Sequence, residues 1–311
     1  MINAHRSFHA RSSDPLNPEC GYCHNGTVTK LWHATDTNRR TAEREFLVVR
    51  CSACHLVQTI PQPAPDEMSQ FYPGVYYPTA SAADALRGFQ LDKLRLVQRF
   101  HRSGRLLDVG AGIGLFVREA SAAGFDAEGI EISRQAVEHG RTAFAVRLTA
   151  GDLLDAQLSP SSFAVVTLWH VLEHLRNPRA VLQTALRLLR PDGRLFVAVP
   201  NIESFQARCF RSRWYHLDVP RHLFHYSPGT LTKVLADCGF AVEAMIHRSR
   251  EHNFAGILGS IMRLSIPDES IVHKSVRKLI AAPLATGLAA VESALTHGGT
   301  FIAVARPAQE G

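Results

Sequence analysis

The run LLDVGAGIGLF at 106–116 constrains this chain more than any other segment. A short apolar strand runs into Gly110, Gly112 and Gly114, and apolar residues resume at once in a helical pattern. Glycines permit a tight strand-to-helix turn and let backbone approach a ligand with no Cβ in the way. The helix N-terminus that follows offers free N–H groups to a negative or polar ligand group. The spacing is GxGxG, and Leu115 stands where a dinucleotide fingerprint, GxGxxG, needs its third glycine.

From 104 onward apolar strands alternate with helical segments, the signature of a parallel α/β sheet. Strands are expected at 105–110, 127–132, 144–149, 163–169 and 193–200, with a further strand after Gly239 and a last one at 299–307. Helices are expected at 82–102, 114–123, 133–141 and 177–190, the last stopped by Pro191 and Gly193, and from Ser227 to Asp237. Glu131 ends the second strand, 17 residues beyond Gly114, where an acid can accept hydrogen bonds from ribose hydroxyls. Asp152 follows the third strand on the same edge. Either acid alone could be a helix N-cap; three consecutive strand ends that are glycine-rich, acidic and acidic point to a nucleoside ligand.

Asp108–Gly114, Glu131, Asp152, the segment WHVLEHL and LLRPDGRLFVAVPN resemble, in order, the motifs of class I S-adenosylmethionine-dependent methyltransferases. The resemblance covers about 82–248 and 299–307. It implies a Rossmann-like, seven-stranded, mostly parallel sheet with helices on both faces. It also implies that Asp108, Gly110, Gly112 and Gly114 surround the methionine part of the cofactor, Glu131 its ribose and Asp152 its adenine amine. Ile132, Leu153 and Trp169 would complete that site. A nicotinamide-dependent dehydrogenase is the rival, and the GxGxG spacing and the segment after the fourth strand count against it.

His170-Val-Leu-Glu173-His174 matches the zinc-protease string HxxEH. That chemistry needs a continuous helix with both histidines on one face and a third ligand, whereas His170 directly follows the apolar run FAVVTLW. In the methyltransferase reading this loop borders cofactor and acceptor. Related O-methyltransferases of ubiquinone biosynthesis carry a Glu-rich version that holds a divalent cation, and this chain has His170 in place of the first acid. Residues 210–228 bring Tyr215, His216, His222, His225 and Tyr226 to the region after the fifth strand, and RHLFHYSP resembles a segment of bacterial methyltransferases acting on small molecules, glycans and lipids. A hydroxyl or carbon acid needs a base; His222 is the first candidate and His170 the second.

Cys20-x-x-Cys23 and Cys51-x-x-Cys54 enclose 27 residues, and two CxxC turns complete a tetrahedral zinc site. A redox pair would open a helix within a βαβ unit, which neither does. The sequel to the second pair resembles the zinc-binding N-terminal region of sugar C-methyltransferases and related glycan-cluster enzymes. The expected organisation is a flexible tail at 1–16, a zinc-binding module and connector at 17–80, and a methyltransferase domain at 81–311 with a helical insertion at 249–298.

Net charge is +6, of which 11 − 7 = +4 lies between 201 and 278. That excess suits an anionic substrate or surface and is too small to argue for nucleic acid alone. The insertion is expected to form two helices that cover the acceptor cleft or pair with a second subunit as a homodimer. The alternative is a lipid-facing lid giving peripheral membrane contact through 249–298. With no apolar leader or spanning run in the sequence read, a cytoplasmic location is expected, with membrane association through the insertion as the alternative. The acceptor implied by resemblance is an oxygen or carbon on a small molecule, a sugar or a lipid-linked glycan, and nucleic acid is not the expected partner. An RNA methyltransferase with a zinc-binding module is the alternative, and a non-catalytic zinc and nucleotide binding protein the third reading.

Overall fold

The computed structural model describes residues 19–41, 44–72, 84–247, 249–263 and 271–308. The tail expected at 1–16 and the end of the connector lie outside the described residues.

The larger sheet takes β4 (Gly104–Val109), β5 (Phe125–Glu131), β6 (Leu148–Ala150), β7 (Phe163–Trp169), β8 (Leu189–Pro200), β10 (Phe240–Ile246) and β11 (Thr300–Pro307). Their order is β10-β11-β8-β7-β4-β5-β6. The five strands β4 to β8 pair in parallel, while β11 pairs antiparallel with β8 and with β10. This is the Rossmann-like, mostly parallel seven-stranded sheet the sequence implies.

Central parallel strands are apolar on both faces because helices cover both. Leu106 and Val165 pack with α1 (Arg87–Val97), α2 (Leu115–Ala122) and α3 (Arg134–Phe144). Their neighbours Leu107 and Val166 point to the other face, against α4 (Pro178–Leu188) and α6 (Pro228–Asp237). Ser133, Asn177 and Ser227 cap three of these helices with side-chain oxygens.

Boundaries differ from expectation most in three places, the first being the helix expected at 82–102, which runs as α1 from Arg87 to Val97. The strand expected at 144–149 begins at Leu148, because Phe144 closes α3, its ring under the Arg118 guanidinium, and Ala145 ends the helix in a left-handed conformation. The strand expected at 193 begins at Leu189, which pairs with Phe163, so Pro191 and Gly193 sit within β8.

A second, antiparallel sheet runs β1 (Val28–Ala34), β2 (Phe46–Cys51), β3 (Val57–Ile60) and β9 (Phe224–His225). Its first three strands belong to the cysteine-bearing N-terminal segment, but β9 comes from the histidine-rich segment at 210–228. The insertion is two packed helices, α7 (Arg250–Met262) and α8 (Ile271–Ala294). The short α5 (Phe205–Phe210) lies against α7.

Candidate active site

The glycine turn leaves β4 and is tied to β5 by bonds from Gly110 N and Ala111 N to Ile130 O at 2.8 and 3.0 Å. Gly110 has φ +69°, and a Cβ there would meet Val171 at 2.5 Å. Gly112 has φ +56° and nothing within 4 Å of a Cβ position, so this side of the turn is open to a ligand. Glu131 accepts hydrogen bonds from Gly112 N and Ser133 N, both at 2.9 Å, one to each carboxylate oxygen. A carboxylate has about four acceptor positions, so two remain for a diol. Ile132, beside it, is 76 % exposed and offers an apolar surface to a flat ring. These features fit a nucleoside carrying a polar tail.

Asp152 accepts from Leu154 N at 2.9 Å, a cap that occupies one of its oxygens. The Leu153 side chain is buried in the core, so only its backbone borders the edge. Asp108 is buried and accepts from Thr167 Oγ1 at 2.6 Å. Burial pushes its pKa up to about 7, against that bond and the nearby charge of Lys93. Trp169 sits edge-on to Phe116, with Lys93 over its ring at 5.5 Å.

Two cavities flank His170. One, about 440 Å³, is lined by Lys93, Trp169, Glu251 and Thr300 among others. The second, about 420 Å³, is lined by Asn38, Arg39, Glu173, Tyr215, His216, Asp218, His222 and Arg263 among others. His170, Glu251 and His252 line both. His170 directly follows β7, next to the strand that ends in the glycine turn, so it joins the cofactor edge to the second cavity.

His170 has φ +58°, a left-handed conformation that costs a non-glycine residue on the order of 1–3 kcal/mol and tends to mark functional sites. Its Nδ1 lies 3.3 Å from Glu173 Oε1, and its ring stacks on His252 at 3.9 Å. Burial, with the charges of Lys93 and neighbouring histidines, holds His170 well below the usual imidazole range. Glu173 is fully buried, and its Oε2 has no partner among the described residues. His222 is buried, its Nδ1 2.8 Å from His216 O. Burial and His174 push its pKa down to about 3. One ligand atom each from Glu173, His174 and His222 lies within 4.8 Å of the others, a donor set able to hold a divalent ion. His225 turns away to Thr59 Oγ1 at 2.9 Å, and Tyr226 lies in the core.

The cavity wall rests on one buried cation. Arg221, 1 % exposed, donates to Asp218, to Asp36 and to Phe71 O. Burial works against an ionised Asp36, yet hydrogen bonds from Arg221 and Thr41 hold its carboxyl well below the usual range. Thr59 N bonds Leu223 O at 3.0 Å, and Leu223 N bonds Glu173 O at 2.8 Å, so the small sheet, the histidine segment and the strand-four loop are stitched in series. Arg263, at the end of α7, lies over the Tyr215 ring at 4.2 Å. Asn38, Arg39, Lys93, Glu251, His252 and Arg263 carry no motif. Arg263 alone has a signal in the sequence, as a cation beside the apolar run of the inserted segment.

The four cysteines converge as their spacing predicts. Cys20 Sγ lies 3.6 Å from Cys54 Sγ and Cys23 Sγ 3.7 Å from Cys51 Sγ, close to the edge of about 3.8 Å that a tetrahedron with ~2.3 Å metal–sulfur bonds has. The two turns are alike: His24 N bonds Cys20 O at 3.0 Å and His55 N bonds Cys51 O at 3.1 Å, each histidine in the left-handed region. Cys209 is exposed and Cys238 buried, both apart from this cluster.

Comparison with known proteins gives the family of the larger sheet. A family profile described as a methyltransferase domain matches residues 83–245, just over half of the chain. The ubiquinone biosynthesis O-methyltransferase of Methylococcus capsulatus is 35% identical over 105 residues, 31% of this chain and 44% of that protein. The protein of that name from Haemophilus ducreyi is 36% identical over 107 residues, 31% and 45% of the two chains. The chain spans about half the length of the curated relatives it matches. One chain of the complex between the Haloferax volcanii Trm112 methyltransferase activator and a methyltransferase superposes with a TM-score of 0.52 at 17% identity, covering 74% of this chain and 94% of that one.

Proposed function

Because the chain belongs to the methyltransferase-domain family, we propose that it transfers a methyl group from S-adenosylmethionine to an oxygen or carbon of a sugar, glycan lipid or related metabolite. Asp108, the glycine turn, Glu131, Ile132 and the Asp152 edge hold the cofactor, which supplies an electrophilic methyl group on a sulfonium. The second cavity holds the acceptor: its size suits a small molecule, and its imidazoles, carboxylates and Asn38 suit hydroxyl groups.

The observation that carries the reading is the His170–Glu173 pair at the junction of both cavities. A Glu173 carboxylate accepting from His170 Nδ1–H fixes the tautomer and leaves Nε2 as the basic nitrogen. The low pKa keeps His170 neutral, the form able to take the acceptor's proton. This geometry favours His170 over His222, whose role is to line the pocket beside it. The four thiolates hold one zinc ion, closed by four protein ligands and structural in role.

The test is incubation with isotopically labelled methyl donor and crude lipid, glycan and RNA extracts. Label is expected in the lipid or glycan fraction. His170→Ala should lower turnover by about 10²–10⁴-fold while S-adenosylhomocysteine still binds. Label confined to RNA would transfer the assignment to the RNA reading.

A further inference from the structure

A broad apolar surface on α8 is left uncovered by the described residues. Five of the exposed large hydrophobic residues lie on α8, Leu279, Ile280, Leu284, Leu288 and Val291, and a sixth, Leu295, just past its end. From Leu279 to Leu295 one residue is ionisable, Glu292, and it is buried, accepting from Gln206 N and Nε2 at 2.9 and 2.8 Å. The exposed side of this stretch therefore carries no charge at all. Monomeric soluble proteins rarely leave contiguous apolar surface of this kind unless something binds it.

One cation stands at the patch and three more lie on α5 and just past it. Lys278 is exposed at its start. At its other end the Gln206–Glu292 bonds fasten α5, whose first residue, Phe205, is 55 % exposed. Arg208, Arg211 and Arg213 follow, all exposed, against one exposed acid, Glu203. The width of the patch separates two kinds of occupant. A seam between two helices needs a narrow stripe. Here the exposed arc runs from Thr286 through Leu279 and Ile280 to Leu288, roughly 200° at about 100° per residue. Such an arc, wide, uncharged and joined through α5 to an exposed arginine segment, has the make-up of a helix lying in a lipid interface. No helix among the described residues is long and apolar enough to cross a membrane.

We propose that α8, with Phe205 and the Arg208–Arg213 segment, docks the protein on an anionic lipid surface. The inner side of α8 packs on α7 through Ile257, Ala285 and Ala289, and α7 in turn supplies Glu251, His252 and Arg263 to the second cavity. Docking therefore holds that cavity one helix below the lipid. Docking stands on the surface itself; only the further step, that the acceptor is drawn from the lipid, rests on the methyl-transfer reading.

The full chain should sediment with vesicles of phosphatidylcholine containing about a third phosphatidylglycerol, far less with phosphatidylcholine alone, and less as salt rises. Leu284→Glu with Leu288→Glu should reduce sedimentation at least tenfold. Arg208→Gln, Arg211→Gln and Arg213→Gln together should reduce it about tenfold or more and flatten the salt dependence. Calorimetry with S-adenosylhomocysteine, unchanged in both variants, shows that the fold is intact and separates failure of docking from failure of the methyltransferase reading. Wild-type protein that stays in the supernatant overturns the proposal. If it also forms a dimer by analytical ultracentrifugation that Leu284→Glu with Leu288→Glu dissolves, the occupant is a second copy.

Discussion

The proposed cofactor edge and the proposed acceptor cavity are built in opposite ways. The edge comes from one contiguous stretch: β4, the glycine turn, β5 and β6 follow each other within 104–150, and its main contacts are backbone hydrogen bonds between neighbouring strands. The cavity is assembled from residues 38–39, 170–173, 215–222 and 251–263, held by buried side-chain charges and imidazoles. The edge is thus a local structure supported by the sheet, whereas the cavity exists only once distant segments are locked together. Disturbing the locks should abolish acceptor chemistry and spare cofactor binding.

Loss of the proposed zinc should separate the two regions most. Chelation, or Cys51→Ser with Cys54→Ser, removes the folding energy a closed zinc site supplies. β3 and β9 should then lose hydrogen-exchange protection, with methyl transfer abolished and S-adenosylhomocysteine affinity within about threefold of wild type. Parallel loss of both functions would erase the distinction between edge and cavity.

Asp36→Ala leaves the buried Arg221 guanidinium with one carboxylate partner fewer, a change of about 3–5 kcal/mol in unfolding free energy. Asp36→Ala combined with Arg221→Met and Asp218→Asn should recover a large part of that loss in urea denaturation, because no charge of the cluster is then left unpaired.

Acid should act on the cavity side. Burial pushes His216 to about 4 and His222 and His225 to about 3. A group whose folded pKa is depressed favours the folded state above its unfolded pKa, near 6.5, and loses that contribution as pH falls toward the folded value. Each histidine neutral at pH 7 and still neutral when folded at pH 5 costs about 2 kcal/mol there. Unfolding free energy should therefore fall by about 2–6 kcal/mol between pH 7 and pH 5. A flat profile over that interval would show the histidines to be solvated.

The smallest effect belongs to the edge. Glu131→Ala should weaken S-adenosylmethionine binding in calorimetry by about 1–3 kcal/mol through lost hydrogen bonds to ribose, with sedimentation on vesicles unaltered.

The same contrast explains what the sequence discloses. Gly110, Gly112, Gly114 and Glu131 stand at fixed spacings because a tight turn and a strand end dictate them, so the edge is legible residue by residue. The cysteines are legible for a similar reason, since each CxxC is a local turn. Arg221 meets Asp36 across 185 positions, and His170 meets His252 through a helix whose period gives no hint of it. No spacing rule joins such pairs. Three histidines in one segment single out His222 as a base in the sequence, while the Glu173 partner and the left-handed backbone of His170, on which the proposed function rests, exist only in three dimensions.

The pairing of Val57 with His225 also sets a timetable for the newborn chain. The three strands of the small sheet emerge early, but their fourth is 168 residues further on (225 − 57). At about 5–20 residues per second, β3 waits roughly 8–34 s with unpaired N–H and C=O groups along one side. An open strand edge of this kind recruits other strands. During that interval crowded ribosomes on one message would hold several such edges at high local concentration, so a translational pause between 60 and 225 should raise aggregation far more than one placed after 226.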